Sequence, residues 1–406
     1  TTMGNFGLHT IMDEFGANVQ DGQWVVTSYT LALSVVIPIS GWMAERVGLK
    51  RLYMITMAAF IVGSVLCGLA WDLPSLVFFR VLQGLGGGML QPLGMATVYS
   101  VVTPLERPKF MAMLGLPQLI GPLLGPSFGG WLVQFVDWRA MFTINLPIGL
   151  IGLVAAWRIL KESERRGEAK LDIPGFVLST TAFPSILLGL ALGSRNGWGQ
   201  PTTLGFLALG LVAFAAWLVV ELRVAQPMLD LRLFRHPIFR LSMGLNTVLV
   251  LSLFGTQFLM PLFLQGVLGL GALDSGLLLI PQGLASFLSM NVSGRLYNRV
   301  GPRPLIMFGT GVMAITTWML AHMDAQTPTI YVAALISTRG LSLGFCMMPN
   351  QTAAYNTVPH GGLARATALA NGFQRFLSSG ASAFLGTILN LRTLAHAAAL
   401  GATGLV

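Results

Sequence analysis

Charge is what this sequence has least of. Asp, Glu, Lys and Arg together make up 10% of its 406 residues, against about 25% in an ordinary soluble domain. A soluble fold of this size needs far more polar surface to face water, so a soluble enzyme, a disordered tail and a coiled coil are all excluded. Acids are scarcer than bases, 15 Asp and Glu against 24 Lys and Arg. Cysteine is nearly absent. Cys67 and Cys346 both lie inside apolar runs, which excludes a disulfide scaffold and a Cys-based zinc site. The five His are scattered in loops, so no metal site and no cofactor is expected. What fills the space is apolar sequence, 54% of the chain. It reads as an all-α polytopic membrane protein, because hydrocarbon leaves backbone groups no partner except within a helix.

Twelve apolar stretches of about 20 residues read as spans: 22–44, 50–71, 75–101, 109–134, 139–159, 173–193, 203–222, 238–264, 273–296, 304–322, 328–350 and 363–390. Eighteen of the Lys and Arg fall in every second connecting loop. Arg139, Arg195 and Arg392 occupy the alternate loops, and Arg80, Arg339 and Arg375 lie within spans. The positive-inside rule puts the eighteen in the cytoplasm. The basic surplus therefore sets orientation in a lipid bilayer, and nucleic acid is not the expected partner. With this orientation both ends of the chain fall outside the cell, which is unusual. The expectation is a longer protein with both ends inside, trimmed at each terminus.

Two loops repeat. GWMAERVGLKR (Gly41–Arg51) and SGRLYNRVGPRP (Ser293–Pro304) align Gly41 with Gly294, Arg46 with Arg299, Gly48 with Gly301 and Lys50 with Arg303, always 253 residues apart. Matching loops in the same topological position suggest duplicated halves. The domain reading is an N-terminal bundle at 1–159, a charged linker with two extra spans at 160–223, a C-terminal bundle at 224–390 and a tail at 391–406. GPSFG (Gly125–Gly129) matches a hydrolase pattern, but its Ser needs a strand-to-helix elbow and lies mid-helix here. No His/Asp or Ser/His pair shares a depth, so an enzyme is not expected.

These loops resemble the signature of the major facilitator superfamily. LVFFRVLQGLGGG (Leu76–Gly88) resembles its Arg-containing motif, and LGLPQLIGPLLGPSFGGWL (Leu114–Leu132) resembles the Gly/Pro motif that marks exporters. DWRAMFTINLPIG (Asp137–Gly149), LDIPG at 171–175 and QPMLDLRLFR at 226–235 look like the 14-span drug:proton antiporters, the EmrB/QacA branch. The resemblance implies a major facilitator fold, two six-helix bundles with two extra linker spans. It also implies a transporter of the inner membrane that exports lipophilic drugs by alternating access, with the proton gradient as its energy source. It leaves a periplasmic adaptor protein open as a partner. Export of an endogenous metabolite or lipid is the second reading, and an inactive or accessory membrane protein the third.

On this reading Arg80 takes part in proton coupling, since a mid-span arginine must face the bundle or a wet cavity. Glu45 would cap a helix or pair with Arg46 or another cytoplasmic Arg, holding the inner gate closed. Asn298 stands at the matching position of the second copy, so a charge lock would be one-sided. Gly121, Gly125 and Gly129 form one flat stripe. With Pro122, Pro126 and Gly130 they make a hinge for export. Gln118, Asn246, Gln257, Gln282, Asn371 and Gln374 would supply polar contacts to a drug cavity walled by Phe254 and Phe373. All 15 carboxylates fall in loops or at span ends. The acidic residue that the family carries in its first span is not among these residues. Residues 1–406 are therefore expected to show weak or no proton-coupled transport, and robust pH-gradient-driven efflux from them would refute that.

Overall fold

Pro and Asp mark where many of the helices start. Pro lacks the N–H that a first helical turn leaves unbonded, and its fixed φ suits that turn. Pro74, Pro174, Pro201, Pro237 and Pro302 each stand in a first turn. Asp72 adds a capping box. Its carboxylate accepts from the Ser75 N–H at 2.8 Å, and its own N–H donates to the Ser75 hydroxyl at 3.2 Å. The Ser75 hydroxyl first, and its N–H second, hold the Asp72 carboxyl below the usual carboxylate range.

The computed structural model describes residues 8–103, 105–111, 113, 121, 129, 131–133, 135–160, 162, 171–224, 227–358 and 362–402. Their long elements are helices: α1 (Leu8–Phe15), α2 (Trp24–Val47), α3 (Leu49–Gly68), α4 (Leu73–Val101), α5 (Asn145–Ile159), α6 (Ile173–Asn196), α7 (Pro201–Arg223), α8 (Pro237–Leu262), α9 (Ala272–Val300), α10 (Pro302–Leu320), α11 (Thr329–Asn356) and α12 (Leu363–Ala402). Among the described residues nine helices are long and apolar enough to cross a membrane. α10 and α12 fall on two further expected spans, and the expected span at 109–134 lies mostly outside the described residues. α12 continues past the expected end at 390 to Ala402, because residues 391–402 are rich in Ala and Leu and contain no Pro to stop them.

The side-chain distribution is inverted relative to a soluble protein. Ile151, Val212 and Leu241 are about seven-tenths exposed, while Arg80, Gln83, Asn246 and Arg339 are buried. Apolar surface of that extent is stable only against lipid.

The duplication seen in the loops extends through three helices on each side. α2 and α3 both pack on α4, and α9 and α10 both pack on α11. The turns between α2 and α3 and between α9 and α10 each pass through a glycine with positive φ, +97° at Gly48 and +83° at Gly301. Residues with a Cβ rarely adopt that conformation. Glycine also sets the helix spacing. A Cβ on Gly84 would stand 2.8 Å from the Tyr29 carbonyl oxygen of α2, and one on Gly344 would stand 2.7 Å from the Ser286 carbonyl oxygen of α9. Gly88 and Gly340 meet the same two helices. The pairs Gly84/Gly88 and Gly340/Gly344 are one turn apart, so each makes a flat strip for a neighbouring backbone.

α6 and α7 pair with each other, and α6 also lies against α2 and α12. The linker pair thus sits at the seam between the two halves. α12 is the hub of that seam, packing on α2, α4, α6 and α8.

At the end away from the basic loops, α1 docks onto the turn before α5. Phe15 meets Trp138 edge-on at 5.7 Å, the Trp138 indole N–H donates to Glu14, and Arg139 pairs with Glu14 at 2.8 Å. The Arg139 guanidinium, with help from Trp138, holds the Glu14 carboxyl below its usual range, and Glu14 raises Arg139 in turn.

Two predictions follow from this packing. Gly340→Leu forces α11 off α9 and costs at least the 1–3 kcal/mol of an overpacked core, whereas Gly244→Leu, with open space at its Cβ, is neutral. Thermal aggregation followed by fluorescence-detected size exclusion separates them, and a wild-type midpoint for Gly340→Leu would refute the packing. A carboxylate with a depressed folded-state pKa stabilises above its unfolded value, and that stability is lost as pH falls through the folded value. Acidification below pH 4 should lower the melting midpoint of wild type by slightly more than that of Glu14→Gln. Equal shifts would remove the ion pair from the account.

Candidate functional site

Arg80 lies two turns into α4, and four helical elements supply its neighbours. It is 4% exposed. Its Nε donates to the Val25 carbonyl at 2.9 Å and one terminal nitrogen donates to Gln83 Oε1 at 2.6 Å. Gln83 Nε2 donates to the Ser64 hydroxyl at 2.6 Å, Ser64 donates on to the Phe142 carbonyl at 3.1 Å, and Asn145 donates to the same hydroxyl at 2.8 Å. The guanidinium lies over the Tyr29 ring at 4.2 Å and near Phe142 at 5.5 Å. Carbonyls, an amide and aromatic faces thus hold the charge, and among the described residues no carboxylate pairs with it. Among the described residues the second terminal nitrogen has no hydrogen-bond partner. An unanswered N–H on a buried cation is costly, so this group can take an acceptor oxygen when one is presented.

Gln83, Ser64 and Asn145 were not singled out from sequence. Gln83 stands three residues after Arg80 and so on its face of the helix, a signal that was available. Ser64 and Asn145 come from other helices, and no pattern near Arg80 points to them.

At the basic end a second constellation joins the halves. Glu45, near the end of α2, pairs with Arg365 at the start of α12 at 2.6 Å, and both side chains are mostly buried. Glu45 thus takes another basic-loop arginine and not Arg46, whose guanidinium lies 5.9 Å from the Trp42 ring. Asn298, the counterpart of Glu45, also reaches across, donating to the Leu105 carbonyl at 2.8 Å. The two copies both bridge, but only one carries charge. Arg107 donates to Asn356 at 2.9 Å, Thr367 donates to the Pro92 carbonyl at 3.1 Å, and Tyr99 meets Tyr355 edge-on at 5.2 Å. A Cβ on Gly41 would stand 2.9 Å from the Arg365 Cα, so the glycine lets α12 close onto α2 beside the ion pair. The two halves are shut together at this end.

The expected cavity residues divide. Asn246, Phe254 and Gln257 lie on α8, and Asn371, Phe373 and Gln374 lie on α12, two helices that pack together. Asn246 and Asn371 are buried, and Gln257 is exposed. Asn371 spends its amide on the Thr367 carbonyl one turn back, at 2.8 Å. Gln282 sits apart on α9, where its backbone meets Gly340. Of the expected hinge, Gly121 is exposed and Gly129 buried. Pro122, Gly125, Pro126 and Gly130, with Gln118 of the cavity set, lie outside the described residues.

Arg339 is a structural tie. It donates to Thr317 Oγ1 at 2.6 Å and to the Ser252 carbonyl and hydroxyl at 2.8 and 2.6 Å, fastening α11 to α10 and α8. Glu221 is fully buried near the end of α7, where one oxygen accepts from the Trp217 indole N–H at 3.1 Å. The pairing of α6 with α7 and the turn at Leu229 bury this span-end acid.

A family model, the Major Facilitator Superfamily, matches residues 1–383. The chain is 34% identical over 395 residues to the uncharacterised MFS-type transporter YhcA of Bacillus subtilis (strain 168), covering 97% of this chain and 74% of that one. It is 33% identical over 393 residues to the multidrug resistance protein B homolog of Mycobacterium tuberculosis (strain ATCC 25618 / H37Rv), covering 96% and 73%. Among solved structures it resembles the human organic anion transporter MFSD10, with a TM-score of 0.65 at 14% identity over 95% of this chain and 84% of that one. The proton:xylose symporter XylE matches with a TM-score of 0.63 at 15% identity, covering 97% and 86%. At such identity the structural likeness concerns the fold alone. Family, fold and apolar spans agree, and the chain belongs to the Major Facilitator Superfamily, as an all-helical, multi-pass membrane transporter.

Proposed function

We propose that this transporter exports lipophilic drugs or toxic compounds by alternating access, in exchange for protons, as a member of the 14-span drug:proton antiporter branch. The observation that carries the transport reading is the set of contacts closing the basic end. A partly buried ion pair, hydrogen bonds and an aromatic pair all cross between the halves there. If the basic loops are cytoplasmic, this is the state closed to the cell interior. Breaking a few such contacts costs a few kcal/mol, the scale on which ligands shift conformational equilibria. The drug class rests on relatives named as a multidrug resistance protein B homolog, in Mycobacterium tuberculosis, and as the multidrug transporter protein MdtP, in Bacillus subtilis (strain 168). The pair α6 and α7 at the seam supports the 14-span reading. Arg80 is the coupling residue on this account. Its spare N–H favours the ionised form of any carboxylate presented to it, and loss of that contact lets the acid take up a proton.

Accumulation of ethidium in pump-deficient cells, with and without an uncoupler, tests export. Wild type should lower accumulation severalfold and Arg80→Ala should abolish the effect; uncoupler sensitivity in wild type supports proton exchange and overturns the expectation, drawn from the sequence, of weak proton-coupled transport. Equal accumulation in empty cells, wild type and Arg80→Ala would remove the drug-export claim. The latch is tested by maleimide labelling of Thr367→Cys, the native Cys67 and Cys346 being buried. Glu45→Gln or Arg365→Gln should each raise the labelling rate about tenfold, equivalent to about 1.4 kcal/mol. The double variant should cost little more than either single one. Additive effects would mean that the two residues act separately.

A further inference from the structure

A buried acid of the linker helices stands beside the latch. Glu221 lies in the last turn of α7 and has no exposed surface. Its Oε1 accepts from the Trp217 indole N–H at 3.1 Å and from the Leu229 N–H at 3.4 Å. Among the described residues its Oε2 has no hydrogen-bond partner. Trp217 and Leu229 belong to an apolar cluster that also takes Leu363, Ala366 and Ala370 of α12, so the site is dry while the basic end is shut. A second acid is close. Asp172 caps α6, where its Oδ1 accepts from the Gly175 N–H at 2.9 Å. It is 6% exposed, and its Oδ2 has no partner among the described residues. Asp172 and Arg365 both lie near enough to act on the charge of Glu221. Arg365 gives one terminal nitrogen to Glu45 at 2.6 Å, and its Nε is unbonded among the described residues. The seam thus gathers three carboxyls, from α2, α6 and α7, and one guanidinium from α12.

One cation does not answer three acids. The helix ends decide which acid gives way. Asp172 stands at the N-terminus of α6, where the helix dipole favours an anion, and Glu221 stands in the last turn of α7, where it opposes one. A bare carboxylate oxygen in a dry site is costly. A proton on Glu221 Oε2 removes that charge, and Oε1 keeps both of its hydrogen bonds. The other charged neighbours among the described residues are engaged or turned to solvent. Arg223 and Arg232 are exposed, Arg232 donates to the Val224 carbonyl at 2.9 Å, and Asp230 accepts from the Arg232 N–H at 3.1 Å. Tyr99, Tyr297 and Tyr355 of the same cluster are neutral at physiological pH. We propose that Glu221 is the proton-binding site of a pH switch on the latch. Protonated, it leaves Arg365 to Glu45, and the basic end stays shut. When the proton passes to water at the basic end, the carboxylate draws Arg365 from Glu45 and is hydrated as α12 parts from α2. The proton is the one species exchanged, and it returns when the end recloses. The closed state holds it more tightly than the open one, so closure is favoured at low pH and that advantage is lost as pH rises. The switch rests on the alternating-access reading, that the basic end opens, and adds what controls the opening.

The test is double electron–electron resonance on the full protein in phosphatidylcholine nanodiscs, with spin labels on Arg51→Cys and Arg303→Cys. Both positions are exposed at the basic end, one in each half, and the native Cys67 and Cys346 are buried. With glutamate at 221, a short distance should dominate at pH 5.5, and a longer one should grow about fivefold in population by pH 8.5. Glu221→Gln keeps the shape of the protonated acid and should hold the short distance across that range. Asp172→Asn keeps the α6 cap and removes a like charge, so the longer distance should appear at lower pH. Glu45→Gln should show the longer distance at every pH. Populations that ignore pH with glutamate at 221, or the same pH response in Glu221→Gln, would overturn the switch. So would a Glu221→Gln protein open throughout, because lost packing and not lost charge would then be its effect. An unmoved midpoint in Asp172→Asn would overturn the link between the two acids. If Glu45→Gln opens the end but pH does not, the switch fails and alternating access stands. One distance under all conditions, Glu45→Gln included, overturns both. The expected pH response in a protein that never transports ethidium leaves the switch standing and removes export.

Discussion

Hydrocarbon accepts no hydrogen bonds, and that constraint decides where the polar groups of this chain sit. Its backbone must close on itself, which leaves helices as the elements of the spans. Its side chains must then be answered by other helices. Arg80 and Arg339 show the solution most plainly. Among the described residues neither is met by a carboxylate. Each is held by carbonyls, hydroxyls or amides from neighbouring helices, and Arg80 also by aromatic faces. Such partners hold a cation without neutralising it. Charge is retained inside the bundle in a form that a substrate or a proton-carrying acid can still engage. A buried ion pair would have locked that charge away.

The same constraint explains the glycines. With no hydrophobic force between helices in lipid, association depends on close packing. The strips at Gly84/Gly88 and Gly340/Gly344 bring backbone against backbone within each half. Contacts between the halves mix kinds. Beside one glycine approach, Gly41 onto Arg365, and a cluster of buried apolar residues drawn from both sides, an ion pair, a few side-chain hydrogen bonds and a pair of tyrosines hold the closed end. Polar contacts of that kind can break singly, which is what rocking between halves would require.

The sequence made some of this readable and hid the rest for physical reasons. Gly48 and Gly301 could be aligned because their loops keep a fixed 253-residue offset, and the structure gives both a positive φ. The glycine strips repeat at 256 residues, a three-residue slip that breaks a rigid alignment although the helices correspond. Arg80 announced itself by its cost in a span. Glu45 announced a latch but not its partner, because Arg365 lies 320 residues away and had a sufficient explanation as an orienting charge. The polar chain beyond Gln83 draws on three other elements, and no local pattern carries that kind of information. Glu221 stood out only as an end-of-span acid, because its burial depends on which helix pairs with α7.

The linker helices gain a meaning from these placements. They have no copy elsewhere in the chain, so symmetry between the halves does not require them. α6 lies against α2 and α12, the helices that also carry Glu45 and Arg365. An element touching both partners of a latch is sensitive to their separation. Opening the basic end would move α12 relative to α2 and so alter the surface that α6 covers. The linker pair is thus more than a tether between two bundles. It is a third body at the seam, placed where a change in the angle between the halves becomes a change in the surface that α6 covers on α2 and α12.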